Sequence, residues 1–129
     1  MSESPADMIA RARASVRECM VSDLADGIPE DTLLVDVREP EEVWRGCIPG
    51  AVAVPRGLLE LEIHGLVASF NGASEVPDVE TPILLYCASG GRSALAAETL
   101  ERMGYRNVVS LAGGIVAWHQ AGLPIDTPD

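Results

Sequence analysis

The chain has 129 residues, of which nine are basic and 20 acidic, so its formal charge is −11 at pH 7. This length predicts one domain, and a chain of this size can bury about two-thirds of its unfolded surface without help from disulfides or a structural metal. A hydrophobic content of 47% argues against disorder. Every basic residue is Arg and there is no Lys. The composition therefore excludes the basic surface that nucleic acids and anionic membranes require, and we expect neither as a partner.

Three cysteines lie far apart in the chain, at Cys19, Cys47 and Cys87. Because they form no CxxC motif and no Cys/His cluster, the sequence predicts neither a disulfide framework nor a zinc site. The N-terminal residues lack the basic and apolar regions of a signal peptide, and the longest apolar run is too short to span a bilayer. We therefore expect a cytoplasmic protein whose thiols stay reduced.

Apolar runs and helical segments alternate along the chain. Continuously apolar residues predict buried strands at 33–37, 51–54, 83–87 and 107–111, with a further short strand near 19–21. Helices are predicted at 6–16, 22–26, 39–45, 58–70, 92–103 and 114–121. The segment 71–82 is rich in turn-forming and acidic residues and predicts a loop. This alternation indicates an α/β fold with a mostly parallel sheet that is covered by helices on both faces.

The segment 83–104 is the most informative part of the sequence. A strand ends at Cys87, a loop of small residues follows, and a helix begins near Arg92. Sites in open α/β folds form at the carboxyl ends of strands, which is where Cys87 falls. Gly90 and Gly91 allow the backbone to curl so that N–H groups converge, and the first turn of the helix adds unpaired donors and its positive dipole end. Such a cradle holds an anion.

A thiolate is itself an anion that this cradle could stabilise. An ordinary cysteine has a pKa of about 8.5, and a helix N-terminus or a nearby cation lowers that pKa. Arg92 offers a permanently charged guanidinium whose fork suits oxyanions. We therefore predict that Cys87 is a nucleophile, in preference to the alternative that it is a buried apolar residue at a strand end.

Three separated blocks of the sequence resemble the single-domain rhodaneses, a family of sulfurtransferases. They are VDVREPEEVWRGCIPGA at 35–51, YCASGGRS at 86–93 and LAGGIVAWHQAGLP at 111–124. The resemblance covers about 17–124 within one domain of 1–129, and it implies an α/β fold around a five-stranded parallel sheet. It also implies that Cys87 carries a persulfide. The substrate-binding donors would be the backbone N–H groups of Ala88, Ser89, Gly90, Gly91 and Arg92.

The reaction that this resemblance implies is a double displacement. The Cys87 thiolate attacks the outer sulfur of a donor such as thiosulfate, sulfite leaves, and the persulfide passes its sulfur to cyanide or a thiol. Backbone donors and Arg92 would stabilise the charge that shifts during transfer. No metal or organic cofactor is expected. A partner protein could also donate or accept the sulfur as a persulfide.

Two other functions fit parts of the same pattern. Related phosphatases and arsenate reductases place five residues between Cys and Arg, whereas four separate Cys87 from Arg92. The residue before the cysteine is Tyr86, where those phosphatases usually have His, so this function is the less favoured one. A persulfide carrier or redox-sensing module that acts with a protein partner is the stronger alternative. A purely binding module is weaker, because inactive family members usually lack the cysteine.

Cys47 marks a departure from the family pattern. Where rhodaneses often have GHIPGA, this chain has GCIPGA at 46–51. We favour a structural interpretation, in which Cys47 is a small substitute for His. The alternative is that a second thiol resolves an oxidised Cys87 through a disulfide.

Several further polar residues are predicted to be structural. Asp36 and Arg38 follow a strand and predict a carboxylate–guanidinium pair that fixes the turn. Glu41 and Glu42 are more typical of a solvated helix face than of an acid/base pair.

Two serines, a glycine pair and the two histidines are also predicted to have structural roles. The hydroxyls of Ser89 and Ser93 are predicted to cap the helix, with donation to the cradle as the second option. The glycine pair 113–114 predicts a tight turn into the last helix. His64 and His119 have no motif partner and are predicted to be surface or capping residues.

Overall fold

The computed structural model describes residues 2–72 and 76–128. Over these residues the strands are β1 (Arg17–Cys19), β2 (Leu33–Asp36), β3 (Val52–Ala53), β4 (Ile83–Tyr86) and β5 (Val108–Leu111). The helices are α1 (Pro5–Ser15), α2 (Pro40–Trp44), α3 (Leu59–Phe70), α4 (Gly91–Arg102) and α5 (Gly114–Gln120). Short 3-10 turns occupy Val21–Leu24 and Arg56–Leu58. The strands form one sheet in the order β1-β5-β4-β2-β3, and every neighbouring pair is parallel.

The sheet has a hydrophobic core on each face, because alternate residues of its strands point in opposite directions. One core packs strand residues such as Leu33 and Leu85 against α3 and α4. The other packs Leu34 and Tyr86 against Trp118 of α5. Since both faces are covered, the central strands are apolar at consecutive positions rather than at alternate ones. The predicted α/β fold with helices on both faces is confirmed.

Some predicted boundaries differ from the observed ones. The edge strand lies at Arg17–Cys19 and not at 19–21, since its register with β5 ends where Ala112 N–H donates to the Cys19 carbonyl at 2.9 Å. The helix predicted at 22–26 is a 3-10 turn, because the Asp23 carboxylate accepts a bond from the Met20 N–H at 2.8 Å and favours a single tight turn. Within the predicted loop 71–82, residues 73–75 lie outside the described residues, and the others form neither helix nor strand.

The pairing of β2 with β4 determines what lies next to Cys87. Asp36, the last residue of β2, is in register with Tyr86, the last residue of β4. The Val37 N–H continues the ladder by donating to the Tyr86 carbonyl at 3.0 Å. The segments that leave the two strands are therefore neighbours, although they are about 50 residues apart in sequence. This register places α2 beside the loop between Cys87 and α4.

Candidate active site

The Cys87 sulfur lies in a cradle of backbone donors at the N-terminus of α4. The residue is 1% exposed. Its Sγ accepts a hydrogen bond from the Gly90 N–H at 3.1 Å and from the Ser93 N–H at 3.4 Å. Gly90 has φ +106°, a conformation that side chains rarely adopt, and an added Cβ there would lie 3.3 Å from the Gly113 nitrogen. A glycine at this position lets the chain turn tightly enough to direct its N–H at the sulfur.

Two buried serines extend the cradle beneath the sulfur. The Ser93 hydroxyl lies 3.6 Å from Cys87 Sγ and 2.8 Å from the hydroxyl of Ser110 on β5. Both serines are 0% exposed. The prediction that Ser93 caps α4 is wrong: the N-cap is Gly90, which has no side chain to offer, and the Ser93 hydroxyl points inward to the sulfur. Ser89 is exposed and is not the cap either.

These contacts shift the ionisation of Cys87. Burial raises the pKa of the thiol, but hydrogen bonds from the Ser93 hydroxyl and from the N–H groups of Ser93, Gly90 and Ser89 outweigh it. The net result is a pKa below the ordinary value, so a larger fraction of Cys87 is thiolate than for an ordinary cysteine. Because these donors are uncharged, the cradle stabilises an anion without adding formal positive charge.

The N-terminus of α5 packs directly against the start of the cysteine loop. The Ile115 N–H donates to the Cys87 carbonyl at 2.9 Å, and the Val116 N–H donates to the Ala88 carbonyl at 3.1 Å. Gly114 has φ +55°, and a Cβ there would lie 2.4 Å from the Cys87 carbonyl oxygen. The predicted tight turn is confirmed, and its reason is this close approach of two backbones.

Arg92 is bound by a carboxylate. Its Nη1 donates to Glu42 Oε1 at 2.7 Å and its Nη2 donates to Glu42 Oε2 at 2.9 Å, a bidentate pair between α4 and α2. Hydrogen bonding to Arg92 lowers the pKa of Glu42 to about 2. The prediction that Glu42 belongs to a solvated helix face is wrong, because the register of β2 with β4 brings α2 against the loop. The neighbouring Glu41 is exposed.

Asp36 and Arg38 form the predicted pair. Arg38 Nε donates to Asp36 Oδ1 at 3.0 Å, and Arg38 Nη2 donates to Asp36 Oδ2 at 2.8 Å. The same Nη2 also donates to the Gly46 carbonyl at 2.7 Å. The pair is buried, so it fixes the path of the chain on either side of α2.

A cavity of about 480 Å³ opens beside the cradle, which is a size suited to a small ligand. Its walls bring together the α2 region, the cysteine loop and α5. They include Arg38, Glu42, Arg45, Ala88, Ile115 and His119.

A family model of the rhodanese-like domain matches residues 20–121. The chain belongs to the rhodanese family. A sulfurtransferase of Allochromatium vinosum is 39% identical to it over 112 residues, which cover 87% of this chain and 92% of that protein. The thiosulfate sulfurtransferase GlpE of Haemophilus influenzae is 33% identical over 100 residues, covering 68% of this chain and 91% of GlpE. These relatives support assignment of the chain as a rhodanese-type sulfurtransferase, an enzyme that takes sulfur from a donor and gives it to an acceptor.

A solved structure from Rhodopseudomonas palustris has the same fold. It superposes with a TM-score of 0.81 at 33% identity, covering 98% of this chain and 96% of the other. That protein is described as one of unknown function and a possible tyrosine phosphatase.

Cys47 has surroundings opposite to those of Cys87 in this rhodanese. Its backbone N–H and carbonyl pair with Asp126, each hydrogen bond measuring 2.8 Å. Burial and the nearby carboxylates of Asp126 and Asp36 raise the pKa of the Cys47 thiol. The thiol form is therefore favoured at neutral pH.

Among the predicted loop donors, the Gly90 N–H is directed at the Cys87 sulfur, and the Ser93 N–H, which lies outside the predicted range 88–92, is a second donor. Gly91 and Arg92 open α4, so their N–H groups lie in its first turn, where no intrahelical acceptor exists. Ala88 lines the cavity. Sequence reasoning missed Ser110 and the role of Glu42. The one signal for Ser110 is a hydroxyl in an otherwise apolar strand.

The histidines and the possible metal ligands offer no second catalytic site in the described residues. The two histidines are exposed, and His64 Nδ1 lies 2.6 Å from the Tyr105 hydroxyl. Within residues 2–72 and 76–128, no group of three His, Cys, Asp or Glu side chains is arranged to hold a metal ion. No helix in these ranges is long and apolar enough to cross a bilayer.

Proposed function

We propose that this rhodanese transfers sulfane sulfur from thiosulfate or a related donor to cyanide or a thiol through a persulfide on Cys87. The observation that carries this proposal is the pair of backbone hydrogen bonds to Cys87 Sγ, from Gly90 at 3.1 Å and from Ser93 at 3.4 Å. These donors favour the thiolate, which is the form of cysteine that attacks sulfur.

In the first half-reaction the Cys87 thiolate attacks the outer sulfur of the donor. With thiosulfate, a new S–S bond forms to Cys87 while the bond between the two donor sulfurs breaks, and its electron pair leaves on sulfite. The enzyme then carries a persulfide anion. N–H groups of residues 88–92 and the first turn of α4 support the negative charge that moves to the terminal sulfur.

In the second half-reaction the acceptor attacks the terminal sulfur of the persulfide. Cyanide leaves as thiocyanate, or a thiol leaves as a persulfide, and the electron pair of the broken S–S bond returns to the Cys87 thiolate. The adjoining cavity of about 480 Å³ is large enough for a small thiol. The donors that favour the Cys87 thiolate as the attacking group also favour it as the leaving group.

The same geometry disfavours phosphate-ester hydrolysis. Both terminal nitrogens of Arg92 are bound to Glu42, whereas a phosphatase needs such a guanidinium to face the transferring phosphoryl group. The four-residue spacing between Cys87 and Arg92 is also shorter than that of the related phosphatases.

Intact-protein mass spectrometry after incubation with thiosulfate tests the proposal. We expect the wild-type chain to gain the mass of one sulfur atom, and we expect this gain to be absent in Cys87→Ser and present in Cys47→Ser. A gain from an organic persulfide but not from thiosulfate would assign the persulfide-carrier function instead. No gain from either donor, or release of phosphate from a model ester that depends on Cys87, would overturn the proposal.

A further inference from the structure

We propose that Glu42 makes the site select its sulfur donor by charge. It disfavours dianions such as thiosulfate and favours singly charged organic persulfides. This inference rests on the proposed function and concerns the same site. It follows from the way the carboxylate holds Arg92 and from its own position in the cavity wall.

Glu42 occupies the guanidinium fork of Arg92. Arg92 presents its two terminal nitrogens to the two oxygens of Glu42, at 2.7 and 2.9 Å. This edge is the part of an arginine that binds sulfonate or phosphate oxygens in a bidentate way. A dianionic donor must therefore displace Glu42 or accept poorer geometry from the remaining N–H groups.

Two ion pairs lie next to the cradle. The Arg92 cation is matched by Glu42, and the Arg38 cation is matched by the buried Asp36. The pKa of Glu42, held near 2 by hydrogen bonding to Arg92, keeps this carboxylate ionised across the working range of pH. Arg45, also in the cavity wall, is exposed, so solvent and salt screen its charge.

The wall of the cavity combines a carboxylate with hydrocarbon. Glu42 lines it together with apolar residues of α5, among them Ile115 and Val116. A donor in this cavity meets a carboxylate on one wall and hydrocarbon on another. An alkyl persulfide, with one charge and an apolar tail, suits these walls better than a compact dianion does.

The sulfur-transfer step with such a donor is balanced without any oxidant or reductant. The singly charged donor R–S–S⁻ exchanges a proton with water, and the Cys87 thiolate attacks the terminal sulfur of the protonated form R–S–SH. The bond between the two donor sulfurs breaks, and its electron pair leaves on R–S⁻. Cys87 becomes Cys87–S–SH, and proton exchange with water sets the protonation of both products.

Kinetics of Glu42→Gln with two donors test the inference, because the amide keeps the shape of the side chain and loses its charge. The donors are thiosulfate and an alkyl persulfide that carries no other charged group and is released in situ. We expect the KM for thiosulfate to fall on the order of tenfold, since one repulsive charge is lost and Arg92 is freed. The KM for the alkyl persulfide should change by less than about threefold.

Glu41→Gln is the matched control. It removes the same formal charge from the same helix, at an exposed residue that does not hold Arg92. Its KM for thiosulfate should stay within about twofold of wild type, because an exposed charge is screened. An unchanged or higher thiosulfate KM in Glu42→Gln, or an equal fall in Glu41→Gln, would overturn the inference.

Alkylation of Cys87 gives a second readout that needs no sulfur transfer. Iodoacetate is anionic and iodoacetamide is neutral, and peptide mass spectrometry separates their products on Cys87 from those on the other cysteines. We expect Glu42→Gln to raise the iodoacetate rate relative to the iodoacetamide rate, and an unchanged ratio would contradict the charge effect. A wild-type chain that accepts sulfur from neither donor refutes the proposed function. One that accepts sulfur from both, with no effect of Glu42→Gln, refutes the donor selection alone.

Discussion

Cys87 and Cys47 both lie in the rhodanese-like domain, but the two thiols have opposite electrostatic surroundings. Gly90 and Ser93 direct hydrogen-bond donors at Cys87, and the pKa of its thiol is lowered although the residue is buried. Cys47 is less deeply buried, yet burial together with the carboxylates of Asp126 and Asp36 raises its thiol pKa. Burial alone therefore does not decide the reactivity of a cysteine. What decides it is whether N–H groups or carboxylates face the sulfur.

Removing each thiol in turn should give the largest difference in sulfurtransferase activity between two variants. We expect Cys87→Ser to abolish sulfur transfer to a thiol acceptor, because the nucleophile is lost. Cys47→Ser should keep turnover within about twofold of wild type, since its thiol form is the unreactive one. Steady-state release of sulfite from thiosulfate measures both. Loss of turnover in Cys47→Ser would instead favour the resolving-thiol role for Cys47.

Distorting the support of the Cys87 loop should have the next largest effect. Gly114→Ala places a Cβ 2.4 Å from the Cys87 carbonyl oxygen at a positive φ. We expect a loss on the order of 3 kcal/mol in the free energy of unfolding, together with lower turnover. Denaturant titration measures the stability change.

Gly65→Ala is the control for that substitution. Gly65 lies within α3 with nothing within 4 Å of an added Cβ. Alanine there should stabilise the protein by about 0.5–1 kcal/mol, since it favours the helix. Equal stability of the two variants would show that α5 does not constrain the cysteine loop.

Loss of the Ser93 hydroxyl should reduce the difference in pKa between the thiols of Cys87 and Cys47. Because this donor stabilises the thiolate, Ser93→Ala should raise the pKa of Cys87. The midpoint of the pH dependence of Cys87 alkylation, measured on its peptide, would move to higher pH. Ser89→Ala should leave the midpoint in place, because the Ser89 side chain is exposed and its backbone N–H remains. Equal shifts in both variants would contradict the role of the buried hydroxyl.

Ser110→Ala should have the smallest effect. The Ser110 hydroxyl contacts that of Ser93 at 2.8 Å and orients it beneath the sulfur. We expect the midpoint of Cys87 alkylation to rise in the same direction as for Ser93→Ala, but by less than in that variant. The double variant should then shift no further than Ser93→Ala alone, because Ser110 acts through Ser93. If the shifts of the two single variants add up in the double variant, Ser110 does not act through Ser93.

Most of the fold could be predicted from sequence because its determinants are local. The strands around Leu34 and Leu84 are continuously apolar, which is typical of strands buried on both faces. Short segments were less predictable: Val21–Leu24 is a 3-10 turn set by one hydrogen bond from Met20 to the Asp23 carboxylate, a detail that hydrophobic periodicity does not encode.

The candidate site also has a part that is local in sequence and a part that depends on long-range contacts. Cys87 and its glycine loop are contiguous in sequence, so their position at a strand end and a helix start could be predicted. The pair of Arg92 with Glu42 depends on the register of β2 with β4, and the contact of Ser93 with Ser110 depends on packing of α4 against β5. Such long-range contacts have no signature in a single sequence, so the sequence predicts Arg92 as a cation available to an anion, whereas the structure pairs it with Glu42.

The most direct test of Cys87 as the sulfur carrier is to locate the sulfur after limited loading. The chain would be treated with less than one equivalent of a sulfane sulfur donor, digested in acid, and the peptides that contain Cys19, Cys47 and Cys87 compared by mass spectrometry. We predict that the added sulfur is found on the Cys87 peptide, with the other two unmodified. Sulfur on the Cys47 or Cys19 peptide at an equal or higher level would contradict the role of the cradle.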